Sequence, residues 1–131
     1  MITGINHVGI VVKSIDETLE LLGKMMEVKV VQRAVLKEAG QESCIVQFGN
    51  SCYELMEPYG DKGVVADFLK KTGGGFHHIS LSSDDFDADV AHFEEGGIKV
   101  IGVTELQGLK FAFTHPKTSG GILYELCGPV V

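Results

Sequence analysis

The sequence predicts an α+β fold built from two tandem βαβββ modules. Three observations lead there: a self-similarity at a spacing of 71 residues, hydrophobic periods that run strand, helix, strand in each copy, and enough chain for one compact core. CYELMEP at 52–58 returns as LYELCGP at 123–129, and His7 of HVGIVVKSIDETLELL returns as His78 of HISLSSDDFDADVAHF. Glu54 follows His7 by 47 residues, and Glu125 follows His78 by the same 47. A short-period solenoid needs three or more units, so two copies of about 60 residues read as a duplicated module.

The elements follow in order. A strand over about 5–12 opens the first copy. Ile15, Leu19 and Leu22, like Phe86, Val90 and Phe93 in the second copy, then recur at helical spacing. Ser14 or Asp16 caps a helix over about 15–25, with Glu17 in its first turn. Strands near 27–36, 42–48 and 51–57 complete the module, and the GN of FGNSC is their hairpin turn. EPYGDKGVVADFLKKTGGG holds a helix at about 63–71 and a glycine hinge. The second copy reads as a strand at 76–82, Ser83 or Asp84 as cap, and a helix over about 85–95 ended by the glycines of EEGGI. Its strands lie near 98–103, 109–114 and 121–127. The domain thus spans 1–131, with module one at about 1–59, a linker helix segment at about 60–75 and module two at about 76–131.

Composition narrows the function classes. A chain of 131 residues, 44% of them hydrophobic, buries roughly two-thirds of its unfolded surface. No apolar run approaches the roughly 20 residues of a membrane span. MITGINHVGIVV lacks the basic stretch and cleavage site of a signal peptide, so a cytoplasmic location is expected. A net charge of −7, with Arg33 as the one arginine, argues against nucleic acid, which needs a basic face. Cys44, Cys52 and Cys127 are an odd count without a C-x-x-C pair and read as reduced thiols.

Alternation along strands puts His7 on a face with Gly9 and Val11, His78 with Ser80 and Ser82, Glu54 with Cys52 and Met56, and Glu125 with Leu123 and Cys127. Modules packed about a pseudo-twofold axis would turn His7, Glu54, His78 and Glu125 toward one centre. Two imidazoles and two carboxylates suit a divalent Co, Ni, Zn or Mn ion. Singly, a strand histidine is more often a packed rim residue and a strand glutamate a solvent-facing one. The joint recurrence outweighs that plainer reading, because a buried carboxylate is costly unless paired or metal-bound. His77 alternates away from His78, toward packing or a partner subunit. His92 falls on the polar side of its helix, His115 fits either a turn or a ligand contact, and Tyr53 and Tyr124 point to the core. Cys52 and Cys127 lack an activating neighbour.

The paired modules, with a histidine opening and a glutamate closing each, resemble the vicinal oxygen chelate superfamily of glyoxalases, bleomycin- and fosfomycin-type resistance proteins and extradiol dioxygenases. The resemblance covers the whole chain. It is greatest to the branch of acyl-CoA epimerases acting on 2-methylmalonyl thioesters, on NHVGIVVKSID, YELMEP, ADFLKKTGGGFHHISL and FTHPKTSGGILYEL. It implies a curved, cup-like eight-stranded mixed sheet of the glyoxalase kind, a homodimer, and His7, Glu54, His78 and Glu125 as metal ligands. It also implies a metal-dependent isomerase working through a chelated enolate on an acyl-CoA. Glu125 is the first candidate for proton transfer, with Glu38 (in KEAG, where the family's proline is Lys37) and Glu42 for the opposite role. Ser43 stands where some epimerases carry an acid, so it could act only through water. The segment 98–114 is shorter than the family pattern, and Lys110 and Lys117 are candidate phosphate partners of CoA, although solvated surface lysines are the plainer reading. The alternatives are a glyoxalase I-type lyase on a hemithioacetal and a non-catalytic drug-binding protein; an extradiol dioxygenase fits less well, since its iron site uses two histidines and one carboxylate.

Overall fold

The computed structural model describes residues 1–129. Its elements are β1 (Ile2–Val11), α1 (Ile15–Met25), β2 (Lys29–Leu36), β3 (Gln41–Phe48), β4 (Ser51–Pro58), α2 (Val64–Thr72), β5 (Gly75–Ser83), α3 (Phe86–Glu95), β6 (Val100–Leu106), β7 (Leu109–Thr114) and β8 (Tyr124–Pro129), with a 3₁₀ turn at Pro116–Thr118. The strands form one mixed sheet in the order β2-β3-β4-β1-β5-β8-β7-β6. The β1–β4 and β5–β8 pairs are parallel, while β2–β3, β3–β4, β6–β7 and β7–β8 are antiparallel. The chain divides into two compact units, one of Val8–His77 and one of Met1–His7 with the chain from His78 onward. The division falls inside β1 and at the start of β5.

In the Val8–His77 unit, α1 starts where Ser14 accepts the Glu17 amide at 3.1 Å, so Ser14 and not Asp16 is the cap. Glu57 on β4 adds a bond from the Ile15 amide at 2.9 Å. Ile15 and Leu22 then bury against Cys44, Val46 and Leu55 of β3 and β4. On the other side of these strands, Val65 of α2 packs on Val11 and Met56. The turn after Phe48 uses Gly49 at a φ of 56°. Arg33 bonds Asp16 and Glu42 at 2.6 Å each, tying β2 to β3 and to the start of α1.

In the other unit, Phe86 of α3 packs against Ala112 and Leu126. The cap of α3 is Asp85, which accepts the Ala88 amide at 3.2 Å, and neither Ser83 nor Asp84. Ser83 is diverted to buried Asp89 and to the Asp85 amide. β8 begins three residues later than the hydrophobic pattern predicts. Gly121 and Ile122 donate their amides to Pro116 and Ser119, which withdraws them from the ladder. The β6–β7 loop is only Gln107 and Gly108, both at positive φ (52° and 80°), the geometry of a tight hairpin turn.

Candidate metal centre

The repeat of the sequence is a repeat of register. Glu54 lies opposite Gly9, two residues after His7, and Glu125 lies opposite Ser80, two residues after His78. Side chains paired across strands share a face and alternate along them. Each parallel pair therefore aims its histidine and its glutamate to the same side.

In the unit that holds them, His7, His78 and Glu125 come together. His7 Nε2 lies 3.1 Å from His78 Nε2, with the rings edge to face at 84°. The Glu125 Oε1 atom lies 3.5 Å from the same His7 nitrogen. These groups are shielded: the side chains of His7 and Glu125 are 11% and 12% exposed, and His78 is 5% exposed. Phe113 of β7 lies beside His78, edge to face with 6.1 Å between ring centroids. His7 Nδ1 donates to Asn6 Oδ1 at 2.8 Å. A proton fixed on Nδ1 leaves Nε2 with its lone pair, the form of histidine that binds metal.

The donor chemistry fits a divalent cation. Glu125 Oε1 is buried and finds no hydrogen-bond partner among the described residues, because 3.5 Å to His7 is an ion-pair distance and too long for a hydrogen bond. Nitrogen and carboxylate oxygen turned toward one another in a shielded place are the ligand types that Co, Ni, Zn and Mn accept. In the Val8–His77 unit, Glu54 occupies the same side of β4 as Gly9 does of β1.

Of the carboxylates expected to serve the opposite proton transfer, Glu42 is not on Glu54's side of the sheet and Glu38 lies in a turn outside the strands. Glu42 pairs across strands with Val35 and Glu57 and shares the α1-facing side of β3 with Cys44 and Val46. Arg33 pairs with it there at 2.6 Å. Glu38 sits in the turn between β2 and β3, beyond Gln41. Gln41 is four residues from Ile45, the partner of Glu54, which is about 13 Å of strand. β3 instead puts Gln41 and Ser43 on Glu54's side, with Gln41 Nε2 donating to Ser43 Oγ at 2.9 Å. Alternation identifies that side from sequence alone, and it sets Glu42 on the opposite one.

The other residues singled out in the sequence make the following contacts. His77 stacks edge to face on Phe68 at 4.9 Å. His115 accepts the Lys117 amide at the head of the 3₁₀ turn. Tyr53 packs on the α1 core and Phe48, and Tyr124 lines an apolar pocket with Leu81 and Phe93. Lys110 pairs with Asp87 at 2.9 Å over the Phe86 ring. Burial, and then the nearby charge of Glu125, raise the Cys127 thiol above its ordinary value, which makes it a poor nucleophile. Asn6 and Ser80 had no role in the sequence reading. Asn6 carries no periodic signal, and a serine on a strand face is ordinary until its burial is known.

With this site on the page, the class is defined: the chain belongs to the glyoxalase/bleomycin resistance protein/dioxygenase superfamily, whose model matches residues 6–113. Within it, the chain is 32% identical over 126 residues to the mitochondrial methylmalonyl-CoA epimerase of Dictyostelium discoideum, covering 93% of this chain and 76% of the relative. It is 30% identical over 131 residues to an ethylmalonyl-CoA/methylmalonyl-CoA epimerase of Cereibacter sphaeroides, covering 96% and 98%. A Streptomyces coelicolor methylmalonyl-CoA epimerase solved in complex with 2-nitronate-propionyl-CoA superposes with a TM-score of 0.88 at 28% identity, over 100% of both chains. Among the described residues, no helix is long and apolar enough to cross a membrane.

Proposed function

We propose that this chain is an isomerase that inverts the configuration at C2 of methylmalonyl-CoA, with His7, Glu54, His78 and Glu125 holding a divalent cation. The reading is carried by one observation, a His7 Nε2 atom set 3.1 Å from His78 Nε2 and 3.5 Å from a buried Glu125 oxygen that has no hydrogen bond among the described residues. His7, Glu54 and His78 each offer an atom able to ligate a cation. The epimerase relatives, matched over nearly the whole chain, favour this reading over a glyoxalase-type lyase or a drug-binding protein.

The substrate defines what the residues have to do. The C2 proton lies between a thioester and a carboxylate, and its removal leaves negative charge on neighbouring oxygens. A divalent cation supplies electrostatic stabilisation for that charge. His7 and His78 orient the site, and Asn6 keeps His7 in the tautomer whose Nε2 faces inward. Glu125 takes the proton from one face. Phe113 beside His78 excludes water there, which strengthens every electrostatic contact in the site. Inversion requires a proton delivered to the other face. Ser43, ordered by Gln41, is the group on Glu54's side that can hold a water for that delivery.

A homodimer belongs to the same reading. Val30, Val31, Val35 and Leu36 leave β2 apolar and exposed, surface that a second copy would cover. Light scattering tests this, and a monomer at micromolar concentration contradicts it. A cytoplasmic location, tested by fractionation, completes the proposal. For the reaction, (2R)- or (2S)-methylmalonyl-CoA is incubated in D2O and deuterium is followed at C2. Exchange that stops on chelation and returns with added divalent ion is the expected result. Absence of exchange with ion present rejects the epimerase reading.

A further inference from the structure

Glu54 and Glu125 are equivalent by repeat yet differ in their neighbours, and the difference is buried. Opposite Glu54 stands Gly9, which has no side chain. Opposite Glu125 stands Ser80, which is 0% exposed and whose Oγ has no hydrogen-bond partner among the described residues. Native proteins rarely leave a buried hydroxyl unpaired, and each such case asks for an explanation. Here the adjoining residue carries a second unpaired buried atom, Glu125 Oε1. Neighbouring strands run about 4.8 Å apart, so rotation of the two side chains brings the hydroxyl and the carboxylate into contact. No other strand neighbour of Glu125 competes as a donor. Phe113 across β7 and Leu123 along the chain are apolar, and Cys127 offers only a weak thiol.

We propose that Ser80 is a positioning residue, a second hydrogen-bonding station that lets the Glu125 carboxylate leave its place against His7 and reach a substrate proton. The residue across from Glu54 is Gly9, which offers no hydroxyl. The inference rests on the reading of Glu125 as ligand and base given above. It accounts for why duplication produced two acids with unequal work: one position, two residues after the histidine, diverged from glycine to serine or the reverse.

The test is Ser80→Ala, with Glu125→Gln and the unchanged protein alongside. Three quantities are read: C2 exchange kinetics, cobalt(II) affinity of the chelator-stripped protein by competition with a chromophoric chelator, and the melting temperature. Removing one of two stations biases the carboxylate toward the other. Ser80→Ala therefore loses about 10-fold in kcat, the scale of one charge-assisted hydrogen bond, with KM nearly unchanged. Its cobalt affinity holds or rises, and its melting temperature holds or rises because an unpaired buried hydroxyl is gone. An unchanged kcat overturns the proposal, and so does a loss of kcat accompanied by weaker cobalt binding. If the unchanged protein neither binds cobalt nor exchanges, the parent reading has failed; if it does both and Ser80→Ala matches it, only the station has.

Discussion

Asn6→Ala isolates one hydrogen bond behind one proposed ligand. Asn6 Oδ1 accepts His7 Nδ1–H at 2.8 Å, and the His7 ring is otherwise held edge to face by His78 at 5.2 Å between centroids. Partners of this kind typically affect metal affinity by about 10- to 100-fold, or about 1.4–2.8 kcal/mol at 1.4 kcal/mol per decade. Asn6 is exposed, so water replaces part of the bond in the variant and the low end applies. We expect about a 10-fold loss of cobalt or zinc affinity, measured by chelator competition, with the melting temperature almost unmoved. Asn6→Asp keeps an acceptor and should bind close to the unchanged protein. Affinity within twofold for Asn6→Ala, or an equal loss in Asn6→Asp, refutes the claim that this contact fixes the tautomer.

The fold and the surface yield further outcomes. A Cβ on Gly40 would meet the Lys62 carbonyl oxygen at 2.1 Å, at a residue whose φ is 69°, so Gly40→Ala should cost about 2–4 kcal/mol in urea denaturation; a loss below 1 kcal/mol would mean that the 37–40 and 59–63 loops part readily. Glu42→Gln breaks a partly exposed pair with Arg33 and should cost no more than about 1 kcal/mol while C2 exchange is untouched; a large drop in kcat would restore Glu42 to the reaction. Burial raises both the Cys44 and Cys127 thiols. A raised acid stabilises the fold below its unfolded value, about 8.5 for cysteine, and that contribution is lost as pH rises through the folded values. The urea midpoint should fall from about pH 8 to about pH 10, and a rising midpoint would contradict the assignment.

Much of this was legible in the letters. The strands and helices of both halves, and the four residues proposed as ligands, follow from one repeat distance and strand alternation, because duplication preserves register as well as sequence. Ser14 and Asp16 could not be ranked as caps from spacing, since which one bonds Glu17 depends on backbone dihedrals. Asp85 was passed over for the same reason: Ser83 looks like a cap, but its hydroxyl is taken by Asp89, a tertiary contact. The start of β8 was misplaced because GGIL reads as a strand by hydropathy, while the amides of Gly121 and Ile122 are held by the turn. Parity sets Glu42 on the opposite side of β3 from Glu54's partner, and Glu38 falls in the turn before Gln41. Ser80 and Asn6 emerged only from burial and contact, which no single-sequence pattern encodes.

The central claim is that these histidines and glutamates are a cation site. Elemental analysis of the purified protein beside His78→Ala tests it most directly. The account predicts about one divalent transition ion per chain in the unchanged protein and almost none in the variant, with both proteins folded. A folded protein that takes up no such ion when supplied with cobalt, zinc, nickel or manganese, or a His78→Ala variant that retains the full amount, contradicts it.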